Sequence, residues 1–292
     1  MKRKTIILKI YKMNLKPDVL IVGAGVAGLT CAIKCQDLGL NYLLIDKNSR
    51  VGGRLGSIYE SGYIFDIGFQ VFNTSYEITK QYLSLNQLDL HFFKPGSAIY
   101  SDKKFTIISD PLRDFGKLFN TLFSKIPTLA DKMRILKLKI SLSNYLIEED
   151  KSEDQETIVF LKQYGFSENM ISQFFSPFFA GIFLENKLST SSKFFKYVFS
   201  KFGKGLASLP SNGMQEIPEN MLKRVDRANV FLNFELDQIT KDKKVKLKDG
   251  TTIAPSKVVF TGNSQKLINK KTVKYNSVKT LYFSSSVIPD YS

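Results

Sequence analysis

No tryptophan occurs in this chain of 292 residues, which has only two cysteines and one histidine. A zinc site or an iron–sulfur cluster needs about four ligands of these types, so no metal is expected. Cys31 and Cys35 lie four residues apart in a predicted helix, where two buried thiols are the simpler interpretation. His91 is interpreted as a structural or exposed residue. This cysteine content is typical of a reducing compartment such as the cytoplasm.

Long hydrophobic runs are also missing. A transmembrane helix needs about 20 consecutive apolar residues, and the basic N-terminal stretch contains only the run "TIIL". We therefore expect a soluble or membrane-peripheral protein without a secretory signal. A second methionine, Met13, precedes the first predicted strand, so residues 1–16 are interpreted as an N-terminal extension.

Acidic residues are few relative to basic ones. The chain has 27 Asp and Glu against 42 Lys and Arg, which gives a net charge of +15 at pH 7. Such a charge favours anionic partners, including phosphates, nucleic acids and acidic membrane surfaces. The basic residues are spread along the chain without a nucleic-acid-binding motif, so no nucleic-acid partner is expected. Peripheral association with a membrane stays open.

Residues 17–54 have the pattern of a strand, a helix and a second strand. The run "DVLIVGAG" predicts a buried parallel strand, "VAGLTCAIKCQDLG" a helix that ends at Gly39, and "NYLLIDK" a second buried strand. The turn before the helix carries Gly23, Gly25 and Gly28 as a GxGxxG fingerprint. All parts of a dinucleotide-binding unit are thus in register, although a structural glycine turn is the alternative.

Each part of this unit suits one part of a dinucleotide. Gly23 permits the tight turn, Gly25 lets the backbone approach a pyrophosphate, and Gly28 lets the helix pack closely on the strand. The carboxylate of Asp46, at the end of the second strand, can accept hydrogen bonds from both ribose hydroxyls and would repel the 2′-phosphate of NADP. The predicted contacts of this unit are Gly23, Ala24, Gly25, Val26, Ala27, Gly28, Asp46 and Lys47.

A second glycine pair follows in "SRVGGR". Gly52 and Gly53 would let a second loop lie against the same phosphates, and Arg54 offers a guanidinium to their charge. An NAD site does not require this loop, so two loops at one pyrophosphate indicate FAD. Arg50 has two open interpretations, a cofactor contact or a solvated side chain.

These residues resemble the flavoprotein superfamily of amine oxidases, phytoene desaturases and protoporphyrinogen oxidases. Its members share the first fingerprint, the acidic residue and the motif R-x-G-G-R, seen here as "RVGGR". The segment "GYIFDIGFQVF" is similar to the family's D-x-G segment, which implies that Gly68, Phe69 and Gln70 pass beside the isoalloxazine ring. For Asp66 and Gly68 an ordinary strand-end turn is the alternative.

The middle of the chain has a mostly helical pattern. Two strand-like runs, "SAIYS" and "KFTIIS", precede helical periodicity over residues 111–146. The run "EEDKSEDQE" is interpreted as a solvated connection before the helix "TIVFLKQYG". Nine phenylalanines then fall between residues 174 and 202. Each is better explained as core, but as a group they could wall a cavity for an apolar substrate.

Two later segments extend the resemblance. The stretch "FFSPFFAGIFLENKLSTSS" is similar to one branch of the superfamily, described as FAD-dependent oxidoreductases, and "LPSNGMQEI" to the family's P-x-G-M turn. A meander follows in "VFLNFELDQI", "KKVKLKDG" and "TTIAPSKVVFTG". The resemblance implies that Leu236 contacts the adenine, with a plain core position as the alternative.

Together these patterns predict an α/β fold. A Rossmann-like FAD-binding domain, with a parallel sheet, helices and a β-meander, would comprise residues 17–91 and 205–264. A mainly helical substrate domain with some β structure would interrupt it at 92–204, and residues 265–292 would begin an incomplete returning segment of that domain.

The resemblance implies an FAD-dependent oxidoreductase that oxidises a C–N or C–C bond of a small apolar or amine substrate by hydride transfer to the flavin. Relatives continue to a C-terminal Gly-Asp segment that this sequence lacks, so a truncated member is expected and no catalytic residue is assigned. A catalytically inactive fragment and a non-redox FAD- or lipid-binding protein of the same fold are the alternatives.

Overall fold

The structure is a computed structural model, and it describes residues 15–68, 70–94, 96–101, 104–109, 128–262 and 275–286. The described residues divide into two compact units. The first unit lies within Met1–Gln70, Glu77–Leu90 and Leu209–Tyr275. The second unit lies within Val71–Tyr76, His91–Ser208 and Asn276–Ser292.

Both units contain strands and helices. In chain order, the strands are β1 (Val19–Val22), β2 (Tyr42–Asp46), β3 (Ser57–Glu60), β4 (Tyr63–Asp66), β5 (Phe72–Asn73), β6 (Leu90–Phe92), β7 (Gly96–Ser101), β8 (Lys104–Ser109), β9 (Ala207–Pro210), β10 (Val230–Leu232), β11 (Leu236–Ile239), β12 (Val245–Leu247), β13 (Thr252–Ile253) and β14 (Lys257–Phe260). The helices are α1 (Val26–Asp37), α2 (Thr79–Tyr82), α3 (Leu129–Ser141), α4 (Thr157–Tyr164), α5 (Glu168–Met170), α6 (Ser176–Phe183), α7 (Ser192–Lys204) and α8 (Glu216–Leu222). A π-helical turn, Ile171–Phe175, joins α5 to α6, and 3₁₀ turns lie at Leu85–Gln87, Ile147–Glu149 and Arg227–Asn229.

The centre of the first unit is a four-stranded parallel sheet in the order β10-β2-β1-β14. Every residue of β2 is buried, as expected of a parallel strand covered on both faces. Helix α1 packs its buried residues, among them Leu29 and Ile33, against this unit and ends at Asp37, before Gly39 at φ +64°. The predicted βαβ unit is therefore present.

An antiparallel meander, β11-β12-β13, packs beside this sheet. Leu236, Val245 and Ile253 form one apolar core with Leu20 and Leu43 of the parallel strands. The predicted fold class, a Rossmann-like α/β unit with a meander, is confirmed. Smaller sheets are the antiparallel pairs β3-β4 and β7-β8 and the three-stranded sheet β5-β9-β6, in which β5 and β9 are antiparallel.

The second unit is mainly helical in its described residues, and phenylalanine dominates its core. Phe175, Phe179 and Phe195 are almost fully buried, and the ring centroids of Phe179 and Phe195 lie 4.7 Å apart. Aromatic rings at such distances contribute packing and favourable edge contacts. The core interpretation is correct for these three side chains.

Helix α3 begins at Leu129 because of its cap. The Thr128 hydroxyl accepts from the Asp131 backbone N–H, and the Asp131 side chain accepts from the Thr128 backbone N–H, which completes a capping box. Asp131 is buried and also accepts from the Ser167 N–H at 2.9 Å. Residues 110–127, part of the predicted helical region, lie outside the described residues.

The acidic run after α3 was predicted from its composition to be a solvated connection. For Asp150 this prediction is wrong. Its side chain is 11% exposed and accepts hydrogen bonds from the Tyr145 hydroxyl at 2.7 Å and from Lys196 Nζ at 3.1 Å. Lys196 also lies 5.2 Å from the centroid of the Phe160 ring. The carboxylate thus fixes this segment against α7, and sequence periodicity gives no sign of such a long-range contact.

Among the described residues, no helix has both the length and the apolar character needed to cross a bilayer.

Candidate functional site

Two glycine-containing loops of the first unit meet at the amino end of α1. The Gly52 N–H donates to the Ala24 carbonyl oxygen at 2.8 Å, and Gly25 and Gly52 form an isolated parallel bridge. A Cβ atom placed on Gly53 would lie 3.4 Å from the Gly25 Cα. The loop at residues 23–28 and the loop at residues 50–56 therefore form one backbone surface.

The glycines of the first loop meet different constraints. A Cβ atom on Gly28 would lie 1.8 Å from the Gly23 carbonyl oxygen, so close packing within the protein requires glycine there. Gly25 has an extended backbone, with φ −72° and ψ 179°, and the nearest atom to a Cβ there would be the Gly52 oxygen at 3.9 Å. Packing among the described residues does not require glycine at 25, and the space beside it is open.

The amino end of α1 suits an anion. Its N-cap, Gly25, provides no side chain to accept from the first backbone N–H groups, and its first turn contains no acidic residue. These N–H groups and the helix dipole concentrate positive charge at the end of the helix. Val26 and Ala27, at the start of the helix, are both exposed.

Asp46 lies at the carboxyl end of β2, beside the first loop. Its Oδ2 accepts from the Ala24 N–H at 2.7 Å, and its Oδ1 accepts from the Asn48 backbone N–H at 2.8 Å. The carboxylate therefore holds the first loop in place, a role that sequence reasoning missed. Oδ1 also accepts from the Asn48 side-chain Nδ2 at 2.9 Å, so both of its lone pairs are used, and Oδ2 keeps one lone pair for a ligand hydroxyl. Lys47 follows as an exposed residue.

The two arginines of the second loop have different surroundings. The Arg50 guanidinium donates to the carbonyl oxygens of Val51, Gly53 and Leu55 and to the Gln215 Oε1, at 3.0 to 3.2 Å. It therefore braces its own loop. The Arg54 side chain is exposed, and its guanidinium forms no hydrogen bond or ion pair with the described part of the chain.

The D-x-G segment lies near this second loop. Gly68 has φ +82°, and the Gln70 Nε2 donates to the carbonyl oxygens of Arg54 and Ile67, both at 3.2 Å. The Gln70 Oε1 is buried without a hydrogen-bond partner among the described residues. Phe69 lies outside the described residues.

Asp66 has a structural role in this segment. Its Oδ1 accepts from the Ser57 hydroxyl at 2.5 Å and from the Met214 N–H at 2.8 Å. This interaction fixes the turn at Gly213, where φ is +86°. Asp66 therefore stabilises a turn at the end of β4, which is the structural alternative considered from the sequence. Its carboxylate joins two segments of the first unit that are distant in sequence.

Sequence reasoning did not identify Thr261, which supports the first loop. Its hydroxyl lies 2.8 Å from the Gly23 carbonyl oxygen and 3.2 Å from that of Val22. Thr261 directly follows β14, the neighbour of β1 in the parallel sheet. Since the carboxyl ends of parallel strands lie at one edge of a sheet, this position could have been found from the strand pattern.

Two other residues considered from the sequence are buried within the first unit. Leu236 packs with Leu247 and Phe231 in the core, and its contact with an adenine stays a prediction. Cys35 is buried, and burial, together with the neighbouring Cys31, raises the pKa of its thiol to about 11. A thiol with a raised pKa is a poor nucleophile, in agreement with a structural role.

Known proteins share both sequence and fold with this chain. A 4,4′-diapolycopene oxygenase of Methylomonas sp. is 31% identical over 94 residues, which are 28% of this chain and 19% of that enzyme. Putrescine oxidase bound to putrescine has a TM-score of 0.61 at 19% identity, covering 85% of this chain and 58% of that one. The Rab GDI of Plasmodium falciparum has a TM-score of 0.56 at 17% identity, covering 87% and 67%.

At these identities the two solved structures show the fold alone. The chain matches less than two thirds of the length of the carotenoid enzyme and of putrescine oxidase. The family model of flavin containing amine oxidoreductases matches residues 26–276, which is most of the chain. The protein therefore belongs to the flavin containing amine oxidoreductase family, as its two converging glycine loops led us to expect.

Proposed function

We propose that this chain binds FAD across the two glycine loops and acts as an FAD-dependent oxidoreductase. The observation that carries the proposal is the contact between the loops, in which the Gly52 N–H donates to the Ala24 carbonyl oxygen at the amino end of α1. Two backbone surfaces joined beside a helix N-terminus provide a site for a diphosphate.

The surrounding groups fit the parts of this cofactor. The open space beside Gly25 leaves room for a pyrophosphate, and the Arg54 guanidinium can donate to its oxygens. Asp46 is proposed to accept from a ribose hydroxyl through the remaining lone pair of its Oδ2. The buried Gln70 Oε1 offers an acceptor to a ring N–H. The further proposed contacts are Gly23, Ala24, Val26, Ala27, Gly28, Lys47, Gly52, Gly53, Gly68, Phe69 and Leu236.

Bound FAD would supply a hydride acceptor for the oxidation of a C–N or C–C bond. The residues described above bind and orient the cofactor, and no catalytic residue is assigned to this chain. We propose a small apolar or amine substrate, because the similar proteins include a carotenoid oxygenase and a putrescine oxidase.

A non-redox function is the second candidate. The fold similarity to a Rab GDI over 87% of this chain favours it. A protein that binds no dinucleotide has no need of an open site at Gly25 together with an Arg54 guanidinium that has no partner in the described part of the chain, so we prefer the flavoenzyme. A chain that binds FAD without turnover is the remaining alternative.

We also propose that the protein associates peripherally with acidic membranes. The net charge of +15 would attract it to an anionic surface, where an apolar substrate could be dissolved. No nucleic-acid partner is proposed.

The visible spectrum of the purified chain, with FAD added and free FAD removed, tests the cofactor assignment. We expect flavin absorption bands that dithionite bleaches. Arg54→Ala should weaken FAD binding about 10- to 100-fold, because a charge-assisted hydrogen bond contributes about 1.5–3 kcal/mol. Arg227→Ala, at another exposed arginine of the same unit, is the matched control. A folded chain that takes up no FAD would refute the proposal.

A further inference from the structure

An apolar stripe runs along the exposed side of α3 in the second unit. Leu129, Met133, Leu136 and Ile140 are 71%, 63%, 37% and 64% exposed. Their spacings of four, three and four residues place them on one face of the helix. Leu138 and Asp131 are buried on the opposite face. Four adjacent exposed apolar side chains on one helix indicate a contact surface. We call this stripe the α3 apolar face.

Basic side chains border the α3 apolar face. At 100° per residue, Lys132 and Lys139 lie along one edge of the stripe and Lys137 along the other. The only acidic residue of this helix, Asp131, is buried and accepts hydrogen bonds from Thr128 and Ser167. The charged side chains that α3 itself places beside the α3 apolar face are therefore all basic.

This combination favours one kind of partner. A helix of 13 residues is too short to span a bilayer, but an amphipathic helix with lysines at its apolar edges can lie in the interface of an anionic membrane. Acidic headgroups attract basic side chains at the edges of such a helix while its apolar face enters the acyl boundary. A second copy would bring lysine edges close to lysine edges, which like-charge repulsion disfavours.

We infer that the α3 apolar face is the surface through which this protein docks on anionic lipid bilayers. The inference rests on the peripheral association proposed above and names the surface and the lipid chemistry that would carry it. It does not depend on bound flavin, since α3 and the glycine loops belong to different units of the chain.

Co-sedimentation of the full chain with vesicles tests the inference. Vesicles of phosphatidylcholine with about 30% phosphatidylserine should bind the protein, and vesicles of phosphatidylcholine alone should not. Raising NaCl to about 0.5 M should weaken binding by screening the lysines. Replacing Lys132, Lys137 and Lys139 with glutamine should remove the preference for phosphatidylserine.

The decisive variant is the double substitution Met133→Glu and Ile140→Glu. Both side chains are exposed, so the fold should be kept while vesicle partitioning falls at least about tenfold. The matched control is Ile78→Glu with Ile239→Glu, which makes the same charge change at exposed isoleucines of the first unit. It should bind vesicles considerably more strongly than the α3 variant.

Three results would overturn the inference. The first is that the unmodified chain does not bind acidic vesicles, and the second is that the two double variants bind them equally. The third is that the protein forms a dimer in buffer that the α3 variant disrupts, since a second copy would then cover the α3 apolar face. The flavin content of each preparation separates this test from the proposed function. Failure of the unmodified chain to bind vesicles, with flavin retained, refutes the peripheral association together with the α3 assignment and leaves the cofactor assignment standing. Equal vesicle binding by the two double variants refutes only the α3 assignment, whereas vesicle binding by a chain that cannot take up flavin refutes only the cofactor assignment.

Discussion

At the scale of single residues, the second glycine loop contains two arginines with different surroundings, Arg50 and Arg54. Arg50 donates to three carbonyl oxygens of its own loop and to Gln215, and a Cβ atom on Gly56 would lie 2.3 Å from its Nη1. Glycine at 56 therefore makes room for the brace. With the backbone fixed by Arg50, the exposed Arg54 side chain is available to a ligand phosphate.

Thr261 provides a test of loop positioning. Thr261→Val keeps the side-chain shape but leaves the Gly23 carbonyl oxygen without its hydroxyl donor at 2.8 Å. We expect the free energy of unfolding to fall by about 1 kcal/mol and FAD binding to weaken, because the first loop loses a support. Urea unfolding and FAD titration measure the two effects.

Thr261→Ser should restore both properties, since it restores the hydroxyl. Thr252→Val, at an exposed position on β13, is the matched control and should change neither. Unchanged FAD affinity in Thr261→Val would show that this hydroxyl does not position the loop.

Local geometry explains which site residues could be predicted from the sequence. The spacing of Gly23, Gly25 and Gly28 reflects a strand, a turn and a helix that follow one another directly, so the pattern reveals them. The bonds from Arg50 to Gln215 and from Met214 to Asp66 join residues 165 and 148 positions apart. Sequence periodicity does not indicate contacts between residues so far apart, and these hydrogen bonds were therefore not predicted.

At the scale of elements, α7 and the segment before α4 are joined through Asp150. Hydrogen bonds from Ser152 and Tyr145 and the ammonium of Lys196 hold the pKa of this carboxyl well below its usual range, although its burial acts in the opposite direction. A carboxyl with a lower pKa in the folded state stabilises the fold above its unfolded pKa of about 4 and loses that contribution as the pH falls further.

Asp150→Asn tests this junction. At pH 7 the variant should be less stable by about 1–3 kcal/mol, because it loses charge-assisted hydrogen bonds and leaves Lys196 without its carboxylate. Below pH 4 the difference from the unmodified protein should shrink. Thermal unfolding at several pH values measures both, with Glu153→Gln in the same acidic run as control. A stability difference that is independent of pH would contradict the role assigned to the charge.

Features that depend on neighbouring residues could be predicted from the sequence, whereas features that depend on distant residues could not. The start of α3 follows from Thr128 and Asp131, three residues apart, and such a capping box can be identified from sequence. The burial of Asp150 depends on α7, more than 40 residues further along the chain, and the acidic run gave no sign of it.

At the scale of the whole molecule, each unit has a core of its own. The first unit centres on the parallel sheet and meander, and the second on helices packed around phenylalanine rings. The type of each core could be predicted from the sequence, because buried strands and clusters of aromatic residues give strong hydrophobic patterns. Both glycine loops of the candidate site lie in the first unit.

The central claim is that the space beside Gly25 holds the diphosphate of FAD, and the FAD affinity of Gly25→Ala tests it most directly. The backbone at 25 is extended and no described atom lies closer than 3.9 Å to the added methyl group, so the fold should be kept. Gly181→Ala, which also meets open space but lies in the second unit, is the matched control. In a fluorescence titration we predict that Gly25→Ala binds FAD at least about tenfold more weakly than the control, with a Tm within about 2 °C of it. Equal FAD affinity in the two folded variants would contradict the account.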